Sequence, residues 1–154
     1  MTNRRTLLVV HHTPTPLLRE MHEATLQGAH DDAIDGVDVR AVSALEVTID
    51  DFLHADGYLL GTPANFGYMS GALKHAFDST YDDIRGKIDA RPFSFWIHGR
   101  SDTTGARRAV ESITTGLAWK LAAEPVEVIG KPLTDGDQAL LVELGGTLAA
   151  LLMG

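Results

Sequence analysis

The chain predicts an α/β fold: one parallel sheet with helices on both faces, a doubly wound three-layer architecture of strand order 2-1-3-4-5. Short apolar runs alternate five times with segments of helical spacing, and the connections between them are short. Several runs are continuously apolar, as strands buried on both faces are, rather than alternating. Right-handed crossovers link such strands. The length of 154 residues suits one domain, 1–154, with a full core, and no linker-like composition divides it.

The first strand is Leu7, Leu8, Val9 and Val10. "HTPTP" then breaks the pattern, and Leu17, Leu18, Met21, Ala24 and Thr25 recur at helical spacing up to Gly28, read as a C-cap. Residues 37–42 form a second strand, and a weak helix follows over 49–54. Tyr58, Leu59 and Leu60 are the third strand. Met69, Leu73, Ala76 and Phe77, with Ala72 between them, are the apolar stripe of the next helix, which leaves Lys74 and His75 pointing away. "PFSFWIH", residues 92–98, is the fourth strand, with Trp96 in the core. Ala106, Ala109, Val110, Ile113 and Leu117 give a helix that ends near Trp119, read as core or subunit contact. Residues 125–129 are the fifth strand, and Leu140, Leu141, Leu144, Leu148 and Leu151 line the last helix.

Composition narrows the function. A formal charge of −8 disfavours nucleic acid and anionic membranes as partners. The chain has no cysteine, which excludes disulfides, thiolate metal sites and thiol nucleophiles. The apolar part of "MTNRRTLLVVHHTP" is too short for a signal peptide, and "LGGTLAALLMG" is far short of a membrane span. The expectation is a cytoplasmic protein without membrane insertion.

Ligands in doubly wound sheets bind at the carboxyl ends of the strands near the switch point, so the loops after strands one, three and four carry the argument. In "HHTPTPLLRE" Thr15 is an N-cap and Pro16 fits the first helical position. The N–H groups of Leu17, Leu18 and Arg19 and the hydroxyls of Thr13 and Thr15 suit a phosphate; the same residues also suit a helix start and nothing more. In "GTPANFGYMSG" Gly61 and Gly67 permit unusual backbone and Pro63 stiffens the turn. Backbone groups of Ala64, Asn65, Phe66 and Gly67 would meet a flat polar heterocycle edge-on, with Phe66 and Tyr68 flanking it; the alternative packs both rings on neighbouring loops or a partner subunit. In "HGRSDTTGARRAV" Gly99 allows a sharp exit from the strand, His98, Arg100 and Asp102 reach the same rim, and Asp102 or Thr103 caps the next helix.

These loops resemble those of the flavodoxin-like flavoproteins, in particular the NADPH-dependent FMN reductase and quinone reductase group. "GTPANFGYMSGALKHAFD" is similar to that group's signature after strand three: Gly-(Ser/Thr)-Pro, an aromatic, Gly, Met and Ser-Gly leading into a Lys-containing helix. The resemblance implies FMN as cofactor. Residues 63–68 would hold its ring, residues 98–102 would close another side, and Thr13, Thr15, Leu17 and Leu18 would hold the phosphate. One departure stands out. Pro16 takes the Gly position of the family's phosphate loop and Leu18 its last hydroxyl position, while Pro14 and Pro16 each remove a backbone donor. A weaker or differently shaped phosphate site is the expectation.

The resemblance further implies electron transfer from NADPH or NADH through the flavin to a quinone or similar small acceptor, with no catalytic side chain and, by the habit of the group, a homodimer. Arg100, Arg107 and Arg108 are candidates for the pyridine-nucleotide phosphates, with a solvated helix face the favoured role for Arg107 and Arg108. The alternative is an electron carrier of the flavodoxin type, without turnover of its own. The acidic balance suits it, though many cytoplasmic proteins are this acidic, while the proline-bearing phosphate loop speaks against the tightly held flavin that such carriers commonly need. Seven histidines invite a third class, metal-dependent or hydrolytic. Yet no paired-His helix, no Glu-containing zinc motif and no Gly-x-Ser-x-Gly elbow accompanies them.

Overall fold

The structure, a computed structural model, describes residues 3–154. In chain order the elements are β1 (Arg5–His11), α1 (Pro16–Ala29), β2 (Val37–Ser43), α2 (Ile49–His54), β3 (Gly57–Asn65), β4 (Tyr68–Met69), α3 (Gly71–Ile84), β5 (Pro92–Gly99), α4 (Thr104–Gly116), β6 (Lys120–Leu121), β7 (Val126–Ile129) and α5 (Asp135–Leu151). The parallel sheet runs β2-β1-β3-β5, and β6 and β7 both pair with β5 to share the fifth position. This is the expected order 2-1-3-4-5, with the last strand in two pieces. Residues 122–125 leave the ladder between them, tied back by Ala122 N–H to Phe93 O and Ser94 Oγ to Ala123 O.

Because side chains alternate across a strand, the sheet divides its apolar residues between two cores. Leu8, Val10, Tyr58, Leu60, Phe95 and Ile97 meet α2, α3 and α4. Leu7, Val9, Leu59, Trp96, Val126 and Val128 meet α1 and α5. Trp119 is core: it stacks on Tyr58 with ring centroids 4.0 Å apart. Lys74 pairs with Asp78 outside the apolar stripe, as its spacing predicted.

Two glycines have other roles than the sequence suggested. Gly28 does not cap α1, which ends at Ala29 with His30 as C-cap. It is where α1 and α5 touch backbone to backbone: a Cβ there would lie 1.8 Å from Val142 O, and one on Gly145 would lie 1.9 Å from Thr25 O. Gly61 does not turn the chain either. It sits inside β3 over the Trp96 indole, which a Cβ would meet at 2.5 Å.

Pro63 is also within β3. It lies beyond the last rung to β1, where Gly61 O accepts from His12 N–H, so its missing donor leaves no gap on that side. The strand therefore continues past Leu60 to Asn65, further than its apolar run.

Candidate functional site

The loops after β1, β3 and β5 reach the carboxyl edge of the sheet, where they and a fourth loop line a cavity of about 140 Å³. Thr15, Leu17 and Leu18 form one wall with Pro14; Pro63, Ala64 and Asn65 form another; His98 and Arg100 close it from β5. The tenth lining residue, Lys131, comes from the loop after β7. Thr13, Phe66, Gly67, Tyr68, Gly99 and Asp102 are outside the lining.

At the start of α1 the sequence spends its own donors. Thr15 Oγ1 accepts from Leu18 N–H at 3.3 Å, and Thr15 O from Arg19 N–H at 3.0 Å. Thr13 is outside the cavity lining: its hydroxyl lies 2.9 Å from His11 Nδ1, part of a cluster in which the His11 and His22 rings stack at 3.8 Å. Burial against this neighbour lowers the His11 pKa from its ordinary value to about 4, with smaller contributions from His22 and His12. Of the N–H groups expected for a phosphate, those of Leu18 and Arg19 are taken by Thr15, and Leu17 alone has no partner among the described residues.

The stretch after the third strand is a hairpin, not an irregular turn. β3 and β4 pair antiparallel, Ala64 with Met69 and Asn65 with Tyr68. Two residues connect them, Phe66 at φ 52° and Gly67 at φ 74°. Positive φ at both positions is the type I′ geometry whose twist matches a two-residue hairpin. Glycine tolerates it; phenylalanine does so at a cost. The tip rests on α4: a Cβ on Gly105 would lie 1.9 Å from Gly67 O, so glycine there lets the two loops meet. Ser70 N–H donates to the buried Thr62 hydroxyl at 3.0 Å and ties the base of the hairpin. The rings themselves stay out of every core. Phe66 is wholly exposed and Tyr68 is 40% exposed.

After β5, Gly99 turns so tightly that a Cβ would lie 2.3 Å from Asp102 O. Asp102 takes the capping role that the sequence offered for it: its carboxylate accepts from Thr104 N–H at 3.2 Å and from the Thr104 hydroxyl at 2.8 Å, which lowers its pKa. Thr103 holds the N-cap position without a side-chain cap bond; its hydroxyl donates to Glu127 at 2.8 Å. Arg107 bridges Glu127 and Glu111, so it belongs to a surface ion-pair network rather than to the cavity. His98 is buried, and its Nε2–H donates to Gly130 O at 2.7 Å.

Lys131 was missed by the sequence reading, which took ligand contacts from the switch-point loops alone. Its signal was a Gly-Lys-Pro at the carboxyl end of the fifth strand. α5 lies beside α1 on one face of the sheet, so the loop entering α5 sits next to the loop entering α1.

The donor set suits FMN in kind. Two cations, Leu17 N–H and the positive end of α1 suit a phosphate, while a hairpin with open space beside Gly67 leaves a surface for a planar ring. The cavity alone is too small for a whole flavin, so a ring would lie at its mouth. No group of three His, Asp or Glu side chains converges as a metal site among the described residues, and no described helix is long and apolar enough to cross a membrane.

No protein-family model matches the chain. The flavodoxin of Aquifex aeolicus strain VF5 is 35% identical over 85 residues, which is 55% of this chain and 45% of that protein. The match thus spans less than half the length of that relative. Among solved structures, a flavodoxin from the domain Archaea superposes with a TM-score of 0.78 at 18% identity, covering 96% of this chain and 98% of that one. A flavodoxin of Streptococcus pneumoniae TIGR4 gives 0.76 at 16% identity over 95% and 99% of the two chains. At these identities the common property is the fold: this chain has the flavodoxin-like three-layer α/β fold.

Proposed function

We propose that this protein binds FMN at the carboxyl edge of its sheet and serves in electron transfer, as a carrier of the flavodoxin type. The observation that carries the reading is the cavity in which the loops after β1, β3, β5 and β7 meet at the ligand-binding edge of this fold, lined by the cations Arg100 and Lys131 and by Ala64 and Asn65 of the hairpin. The bound flavin would supply the redox chemistry. The chain's part is to hold and orient it: Leu17 N–H and the cations at the phosphate, Pro63, Ala64 and Asn65 along the wall, the backbone of Phe66 and Gly67 at the ring's polar edge. Thr15, Leu18, His98 and Gly99 shape the enclosure. Phe66 and Tyr68, strained or exposed on the hairpin, are the aromatic surface on which a ring or an electron acceptor would rest. The 35% identity to a flavodoxin supports the carrier.

A second reading is favoured by the "GTPANFGYMSG" signature: an NAD(P)H-dependent FMN or quinone reductase, acting in the cytoplasm as a homodimer on a small acceptor. Arg100 would then be shared between the flavin site and the nicotinamide donor.

A visible spectrum before and after addition of FMN tests the shared premise. Flavin bands with quenched fluorescence and one equivalent retained through gel filtration are expected. A protein that takes up no FMN at high micromolar concentration would sink both readings. Steady oxidation of NADPH or NADH with a quinone then selects the reductase; reduction through a partner protein alone selects the carrier.

A further inference from the structure

We infer that the phosphate of the bound cofactor is gripped chiefly from the far wall of the cavity, by Arg100 and Lys131, with Leu17 N–H the one donor that the start of α1 contributes. The inference rests on the FMN reading above and names the residues that give the site its preference for a phosphorylated flavin.

The α1 loop is a poor phosphate cradle. Pro14 and Pro16 have no N–H, and the N–H groups of Leu18 and Arg19 are held by Thr15. The Thr13 hydroxyl is turned to His11. Across the cavity the position is reversed. Its lining contains two cations and no carboxylate, in a chain with 21 acidic and 13 basic residues. Arg4, Arg40, Lys74 and Arg107 each have a carboxylate partner; Arg100 and Lys131 are among the cations without one in the described residues, and they are the two that line the cavity.

Their placement is built into the backbone. Gly130 N–H donates to Gly99 O at 2.9 Å, and the His98 ring donates to Gly130 O at 2.7 Å. These two bonds stitch the loop after β7 to the end of β5. Arg100 and Lys131 are each one residue beyond a bonded glycine, so both cations emerge side by side at the cavity. The close turn at Gly99, which no Cβ could occupy, fixes the first of them. A dianionic phosphate between an arginine and a lysine makes charge-assisted hydrogen bonds that the proline-bearing loop cannot supply.

The test is a paired titration of the full chain with FMN and with riboflavin, which lacks the phosphate, followed by quenching of flavin fluorescence at low and high salt. Both side chains are exposed, so Lys131→Met and Arg100→Met keep the fold, which circular dichroism verifies. Each variant is expected to weaken FMN by about tenfold while leaving riboflavin unchanged, and to reduce the salt sensitivity of FMN binding. Thr15→Val is expected to keep the preference for FMN. If both flavins bind and the preference survives in Lys131→Met and Arg100→Met, or is lost in Thr15→Val alone, the phosphate is held by α1 and the inference is wrong. Should the unaltered protein bind neither flavin, the inference falls together with the cofactor assignment.

Discussion

Phe66 combines two unfavourable features: a left-handed backbone, φ 52°, and a ring fully in solvent. Left-handed geometry costs an ordinary residue about 1 kcal/mol or more, and nothing within the chain repays it here. Asn-Gly is the preferred pair for this turn, and Gly67 already provides its second half. Phe66→Asn is therefore expected to raise the thermal midpoint by about 2–4 °C, as one kcal/mol does in a chain of this size. The same variant should quench added flavin less, because the aromatic surface is gone. A scanning-calorimetry midpoint unchanged or lowered would show that Phe66 makes stabilising contacts in the free protein. The sequence made this residue visible, as an aromatic among turn formers. It could not reveal the hairpin, because Gly61 and Pro63 read as turn residues when they serve a Trp96 contact and a strand end. Lys131 stayed hidden for a different reason: its closeness to the α1 loop is a property of two helices packed side by side.

Helices α1 and α5 meet through glycine, and the two opposing effects of replacing it differ in size. Alanine in place of a helical glycine gains roughly 1 kcal/mol from backbone propensity. At Gly28 the new methyl would lie 1.8 Å from Val142 O, and at Gly145 1.9 Å from Thr25 O; both obstacles are backbone, which cannot rotate away. Forcing the helices apart opens the core that Leu18, Met21, Leu141 and Leu144 share, at about 1–3 kcal/mol or more. Packing wins, so Gly28→Ala and Gly145→Ala should each lower the urea midpoint. Gly71→Ala, at the start of α3 with open space around it, should be neutral or mildly stabilising. Equal behaviour of all three would mean that α1 and α5 can slide without loss. The strands and long helices were legible because apolar runs and helical stripes report burial directly. The two-piece fifth strand was not, since Lys120 and Leu121 are too short a run to signal a strand and Ala-Ala-Glu-Pro, residues 122–125, separates them from the apolar run that follows.

Across the whole molecule, stability and the site meet at the end of β1. His11 and His22 stack between the sheet and α1, and burial is the leading cause that lowers both pKa values, His11 to about 4. In the unfolded chain both titrate at the ordinary value near 6.5. As pH falls below that value the unfolded state takes up protons that the folded state refuses until about pH 4. Linkage then fixes the sign: stability is full above the unfolded value and is lost as the pH falls toward the folded one. The pair also anchors the loop entering α1, through His11 Nδ1 and the Thr13 hydroxyl, so the loss should begin at the candidate site. Thermal melts from neutral pH to about pH 5, above the main carboxylate range, isolate the histidines. The expected result is a falling midpoint over this interval, with a shallower fall in His11→Phe/His22→Leu, which has no imidazole there to protonate on unfolding. Because a change in the slope is independent of how much the substitutions themselves destabilise, an identical slope in the double variant would show that the stacked rings titrate alike in the folded and unfolded states.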